Sequence, residues 1–153
     1  PFKKLANGVP GIELRMPLLF SEGVGKGRIS LNEFVALTAT NAAKIYGLHP
    51  RKGTIAIGSD ADIAIWDPKR ELSVTYDILH DNVGYTPYEG MRLKGWPETV
   101  ISRGRIAIES GNLHVKPGTG NFLERQPGYD FIRPVGALPQ EVDPTRNFGA
   151  KIL

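Results

Sequence analysis

Apolar residues recur at two different spacings along this chain, and the spacing changes near residue 52. Before that point it is close to helical; after it, apolar and polar residues alternate as in strands. Leu14, Leu18 and Leu19 lie near helical spacing and predict a short helix over 13–22, stopped at Gly23. Pro17 falls in its first turn or two. Gly23-Val24-Gly25-Lys26-Gly27 reads as a loop between helices. Ser30-Leu31-Asn32-Glu33 has the form of a capping box, in which hydroxyl and carboxylate satisfy each other's backbone N–H. Leu31, Phe34, Val35 and Leu37 would give the helix its apolar face. A second helix start is expected at Thr40, ending with Gly47 in the left-handed position after the last turn. The two helices would pack through Phe34, Ala42, Ala43 and Ile45.

Beyond Lys52 three short strands are predicted, over 54–57, 61–66 and 72–76, with turns at Gly58-Ser59-Asp60 and Asp67-Pro68. Arg103-Gly104 between 99–102 and 105–109 is a hairpin signal, and Ser110-Gly111-Asn112 closes its second arm. Residues 1–12 read as a loop, since Asn7-Gly8 and Pro10-Gly11 are turn dipeptides. From Lys116 onward five prolines and five glycines leave little to build a core, so this tail either stays disordered or docks on something else.

Composition narrows the class of protein. At 153 residues the chain holds one core, but a complete (β/α)8 barrel needs ~250 residues. The formal charge of +3 is a weak excess, and the basic residues are scattered. A mixed solvated surface follows, with no nucleic-acid partner. The chain has no cysteine, which excludes disulfides and thiolate metal ligands and fits a cytoplasmic setting. No apolar run approaches the ~18 residues of a membrane-spanning helix. The first residues lack the apolar core of a signal peptide.

Few residues carry recognisable chemistry. The three histidines, His49, His80 and His114, fall in separate predicted elements without His-x-His or i, i+4 pairing, so they read as structural. The glycines at 23–27 and at 118–120 lack the spacing of a phosphate loop. Ser59 and Ser102 lack the nucleophile-elbow pattern and read as turn residues. Trp66 is expected to pack inside the strand-rich part. Tyr85-Thr86-Pro87-Tyr88-Glu89-Gly90 is expected to fix that part against a neighbour, with tyrosine hydroxyls meeting polar groups at the boundary. Asn7-Gly8 is a tight turn on its simplest reading. An open Asn-Gly backbone also exposes N–H and C=O groups in opposite senses.

The stretch from Asn7 to Phe20 resembles hydantoinases and dihydropyrimidinases of the amidohydrolase superfamily. Gly27 to Leu31, Thr40 to Leu48, Pro50 to Ile55, Ile57 to Ile63, Tyr85 to Gly90 and Ser102-Arg103-Gly104 continue the likeness, which covers residues 1 to about 125. The Asn-Ala-Ala helix and the Gly-Ser-Asp-Ala-Asp segment are shared across amidohydrolases. The segments around Asn7 and Tyr85 narrow the resemblance to the cyclic amidases.

The resemblance implies an α/β fold: the C-terminal end of a (β/α)8 TIM barrel over 1–50, part of a small β-sandwich domain over 51–115, and an oligomerisation tail over 116–153. It implies metal-dependent hydrolysis of dihydropyrimidines or 5-substituted hydantoins. Two divalent ions, usually zinc, would activate a bridging hydroxide. The expected ligands are a His-x-His pair, a carboxylated lysine, two further histidines and an aspartate. All would lie upstream of Asn7, so this chain alone is expected to hold no metal and to be inactive. Asn7, through its backbone, and Gly8 are the substrate-binding residues that carry over. The expected partners are a small cyclic amide and further copies of the chain. Sandwich strands left without neighbours would make the isolated chain poorly soluble. A non-catalytic dihydropyrimidinase-like scaffold, or a related allantoinase or dihydroorotase, is the alternative. Only upstream residues would separate scaffold from enzyme.

Overall fold

The computed structural model describes residues 8–125. They form a short helical half followed by one antiparallel sheet. Helix α1 (Arg15–Leu19) runs on into a wider π segment (Phe20–Val24), closed by a bond from the Gly25 N–H to the Phe20 carbonyl at 2.8 Å. Pro17 is tolerated because the first helical N–H groups have no partner inside the helix. The helix does not stop at Gly23 as the pattern suggested. Gly23 sits inside the π segment, where a Cβ would lie 2.9 Å from the Ile29 side chain. The missing side chain there admits a neighbour and does not end the helix.

The capping box forms as predicted. The Glu33 N–H donates to Ser30 Oγ at 3.2 Å, and the Ser30 N–H donates to Glu33 Oε2 at 2.7 Å. From that cap α2 (Leu31–Val35) continues through a second π segment (Ala36–Thr40) into α3 (Asn41–Ile45). The expected second start at Thr40 is therefore absent. Thr40 keeps helical angles, and its hydroxyl donates to the Gly53 carbonyl at 2.8 Å instead of capping a helix. One helical run replaces the expected pair. Its buried residues are Phe34 and Ala43, while Leu31, Val35, Leu37 and Ile45 are exposed. Gly47 does take the left-handed conformation, with φ of 67°.

The sheet has the order β1-β2-β3-β4, with β1 Ile63–Ser73, β2 Arg92–Ser102, β3 Arg105–Glu109 and β4 Asn112–Leu113. Two expectations are corrected. Residues 54–57 form no strand, and the segments 61–66 and 72–76 are not separated by a turn. One strand runs from 63 through 73, and Asp67-Pro68 lies in an irregularity where its pairing with β2 slips between Asp67 and Glu71. Proline cannot donate to the ladder, so the strand bulges where a turn was expected. The Arg103-Gly104 hairpin is present, with φ of 49° and 75° at the two turn residues. Ser110-Gly111 repeats that geometry, at 50° and 81°, and leads into β4. Positive φ at both central residues suits the right-handed twist of the flanking strands.

Leu14, ahead of α1, meets Val74, just past the end of β1, and Leu93 of β2 in the main core, at 1%, 0% and 2% exposure. Full burial of each such side chain is worth about 1.5–3 kcal/mol. Trp66 does not pack inside the sheet. It stacks on Phe20 with ring centres 4.8 Å apart and meets Phe34 edge-on at 5.6 Å, so it joins sheet to helices. Gly95 makes this approach possible: a Cβ there would lie 2.3 Å from the Phe20 ring. Gly53 does the same for the α3 end, where a Cβ would lie 2.5 Å from that of Ala43.

Candidate functional site

The loop ahead of α1 is held by the connection between β1 and β2. That connection is anchored at the core: the Val74 N–H donates to the Met91 carbonyl at 2.9 Å, and the Gly90 N–H donates to the Val74 carbonyl at 2.8 Å. Its two ends are thus pinned together. A 3-10 turn (Tyr76–Ile78) and further local bonds stiffen what lies between. The Tyr76 N–H donates to Glu89 Oε2 at 3.0 Å, and the Tyr88 N–H to the buried Thr86 hydroxyl at 3.3 Å.

From this frame Tyr85 reaches the candidate substrate loop. Its hydroxyl donates to the Gly8 carbonyl at 3.1 Å, across 77 positions of chain. The Gly8 carbonyl belongs to the peptide joining Gly8 to Val9, so the bond orients that peptide plane. A carbonyl oxygen has two lone pairs, so the bond leaves acceptor capacity. Tyr88 packs on the main core and lies beside Gly11, where a Cβ would meet its ring at 3.9 Å. The expectation that this tyrosine segment meets polar groups at a boundary therefore holds for Tyr85. Val9 and Ile12 remain 71% and 84% exposed, so the loop presents apolar side chains beside its backbone groups. Asn7 lies outside the described residues.

At the other end of the loop Glu13 meets His80. The His80 N–H donates to Glu13 Oε2 at 2.8 Å, and His80 Nδ1 lies 2.7 Å from Glu13 Oε1. Nε2 lies 3.2 Å from the Gly111 carbonyl in the β3–β4 turn. The bond to Glu13 raises the His80 pKa; partial burial works against it, and the Gly111 carbonyl adds to it. Sequence reasoning missed this pair. Glu13 lies 67 positions from His80, and no spacing in the sequence marks the two as partners.

The three histidines are not brought together. Only His80 has side-chain partners in the hydrogen-bond network of the described residues. Among those residues no group of three or more His, Cys, Asp or Glu is placed to hold a metal ion. The described part of the chain thus does not fit a metal centre.

A second polar cluster secures the segment ahead of β1. Lys52 Nζ lies 2.9 Å from Asp60 Oδ2 and also pairs with Asp62. Arg51 Nε donates to Asp60 at 3.1 Å, and the Arg103 N–H donates to Asp62 Oδ1 at 2.8 Å. Burial pulls the Lys52 ammonium down, but Asp62 and Asp60 together hold its pKa raised. Two hollows flank the sheet. One, of about 600 Å³, includes Glu13, Trp66, Arg70, Asp77, His80 and Trp96 in its lining. The other, of about 710 Å³, is an apolar groove with Phe20, Phe34, Val35, Tyr46, Ile55 and Trp66 among its walls.

Loop, helical run and sheet match a known family: the amidohydrolase family model covers residues 6–107, and the chain belongs to that family. Within it the likeness is to cyclic-amide hydrolases. A D-hydantoinase of Ralstonia pickettii is 45% identical over 125 residues, which are 82% of this chain and 27% of that protein. A dihydropyrimidinase of Rattus norvegicus is 47% identical over 131 residues, covering 86% and 25%. The crystal structure of dihydropyrimidinase from Brevibacillus agri NCHU1002 has a TM-score of 0.80 at 45% identity, over 84% of this chain and 28% of that one. The chain spans about a quarter of the length of these relatives.

Proposed function

We propose that this chain is the C-terminal part of a metal-dependent cyclic amidase that opens the ring amide of dihydropyrimidines or 5-substituted hydantoins. The observation that carries the reading is the Tyr85–Gly8 bond. It joins the two segments whose sequences narrow the resemblance to cyclic amidases. Asn7 and Gly8 present backbone groups to the ring amide, a mode of pairing indifferent to the ring's substituent. Tyr85 holds the peptide next to them. The upstream part of the enzyme supplies two divalent ions, of which zinc is the expected kind, and the barrel to which residues 1–50 belong. Residues 51–115 complete a small sandwich domain with strands from elsewhere in the enzyme, and 116–153 contact other copies in a cytoplasmic homo-oligomer.

The test is made on the full-length gene product that carries these residues. Ring opening of dihydrouracil and of hydantoin is followed alongside metal analysis of the same sample. Turnover of either ring, with about two metal ions per chain and loss of activity on chelation, is the expected result. A full-length protein that folds but opens neither ring, whether or not supplied with zinc, sinks the enzyme reading and favours the scaffold.

A further inference from the structure

We propose that His80 is a positioning residue for the substrate loop, completing a clamp on residues 8–13 only while its imidazole carries both ring protons. The kinetic consequence rests on the functional reading above; the clamp itself rests on geometry.

Nδ1 faces a carboxylate oxygen of Glu13 at 2.7 Å, and Nε2 faces the Gly111 carbonyl at 3.2 Å. Both partners are acceptors only. A neutral imidazole has one N–H and one lone pair, so one of the two contacts would set a lone pair against an oxygen. Imidazolium alone satisfies both. The His80 N–H binds the second Glu13 oxygen, so one residue grips both oxygens of the carboxylate. Five residues further along, Tyr85 holds Gly8. The segment 80–85 thus takes hold of the loop at each end, and its third grip, on Gly111, ties it to the sheet.

The charged neighbours are few. Glu13 comes from the loop ahead of α1, Arg70 from β1 and Asp77 from the 3-10 turn, all lining the same hollow as His80. Trp96 and Pro97 of β2 and Gly111 of the β3–β4 turn bring no charge to it. Asp81 is the next residue along the chain and turns its carboxylate to the Val83 N–H at 3.0 Å. Glu13 is the acid in direct contact, and its bond is the largest cause holding the imidazole pKa up. A raised folded value places the clamp's contribution at low pH. It is complete below the pKa of unfolded histidine and lost as pH rises through the raised value.

The experiment compares wild type with His80→Asn and Glu13→Gln in the full-length protein. KM and kcat for dihydrouracil or hydantoin are measured at a series of pH values spanning the histidine range. On the acid side each variant should show a KM about tenfold above wild type, the loss of a hydrogen bond to a charged group, with kcat little changed. On the alkaline side the ratio should fall, because the neutral imidazole of wild type has then lost one of its two ring contacts. A ratio of KM values that stays constant with pH overturns the proposal, since a merely structural role would shift it evenly. If His80→Asn does not fold, Glu13→Gln carries the same comparison. A wild type that opens no ring overturns the functional reading instead. The clamp is then decided by the melting temperature of wild type minus variant: a gap that closes as pH rises supports it, and a constant gap or none overturns it.

Discussion

Residues 54–57 and the hairpin over 99–109 carry the same kind of alternating apolar pattern, yet only the hairpin is a strand pair. In the hairpin Val100 faces Ile108, Ile101 faces Ile106, and the turn between them fixes the register. Both ladder edges of β2 are filled, by β1 on one side and β3 on the other. Residues 54–57 find no partner among the described residues, and Ile55 and Ile57 stand 81% and 108% exposed. Alternation expresses a fit to a pleated, half-buried surface, not a backbone state in its own right. The segment is instead shaped by polar ties at its two sides, Lys52 with Asp60 and Asp62, and Ser59 Oγ donating to the Pro50 carbonyl at 2.7 Å.

The largest expected effect comes from leaving both regions without the rest of an amidohydrolase. Residues 1–153 expressed alone should self-associate through the apolar groove and the bare isoleucines, read by analytical ultracentrifugation. A monomer with a cooperative melt would contradict this and would make the partnerless segment a finished structure.

Next comes the joint between helices and sheet, tested in the full-length protein by denaturant titration. Phe34→Ala should cost about 3–5 kcal/mol by emptying the cluster with Phe20 and Trp66. Gly95→Val should cost about 3 kcal/mol or more, since its β-carbon falls on the Phe20 ring at a positive φ. Gly58→Ala sharpens the contrast: φ is 91° there as well, but no atom lies within 4 Å of the added carbon. It should cost only about 1–2 kcal/mol, the backbone strain alone.

The cap and the bare segment give smaller effects. Ser30→Ala should cost about 1 kcal/mol. The bonds to Ser30 hold the Glu33 pKa below its usual value, so the cap is present above the unfolded carboxylate pKa and lost as pH falls through the lowered one. Ile57→Ser should change stability by less than about 0.5 kcal/mol, as an exposed substitution away from any partner. A larger loss would show that an unseen strand covers it in the full-length protein.

Features set by near neighbours in the chain were legible in advance. The Ser30 capping box, the Gly47 helix end and the Arg103-Gly104 turn depend on groups within about four residues of each other, and each formed as read. The candidate site was legible in half. Asn7-Gly8 and the Tyr85 segment stood out as stretches, but not the bond between Tyr85 and Gly8. Nor did any spacing mark Glu13 or His80. Their pairing needs the loop ahead of α1, the β1–β2 connection and the β3–β4 turn to arrive at one place.

What the amino-acid order determined by itself is therefore the family, the local caps and turns, and the lack of a visible metal-ligand motif. Tertiary structure alone decided that Thr40 sits inside a helix, that Asp67-Pro68 is a bulge, and that Trp66 faces the helices. The physical reason is shared. A hydroxyl, a proline or an aromatic ring has several acceptable local states, each within a few kcal/mol of the others. The choice among them falls to a partner far along the chain: Gly53 for Thr40, β2 for Asp67-Pro68, and Phe20 and Phe34 for Trp66.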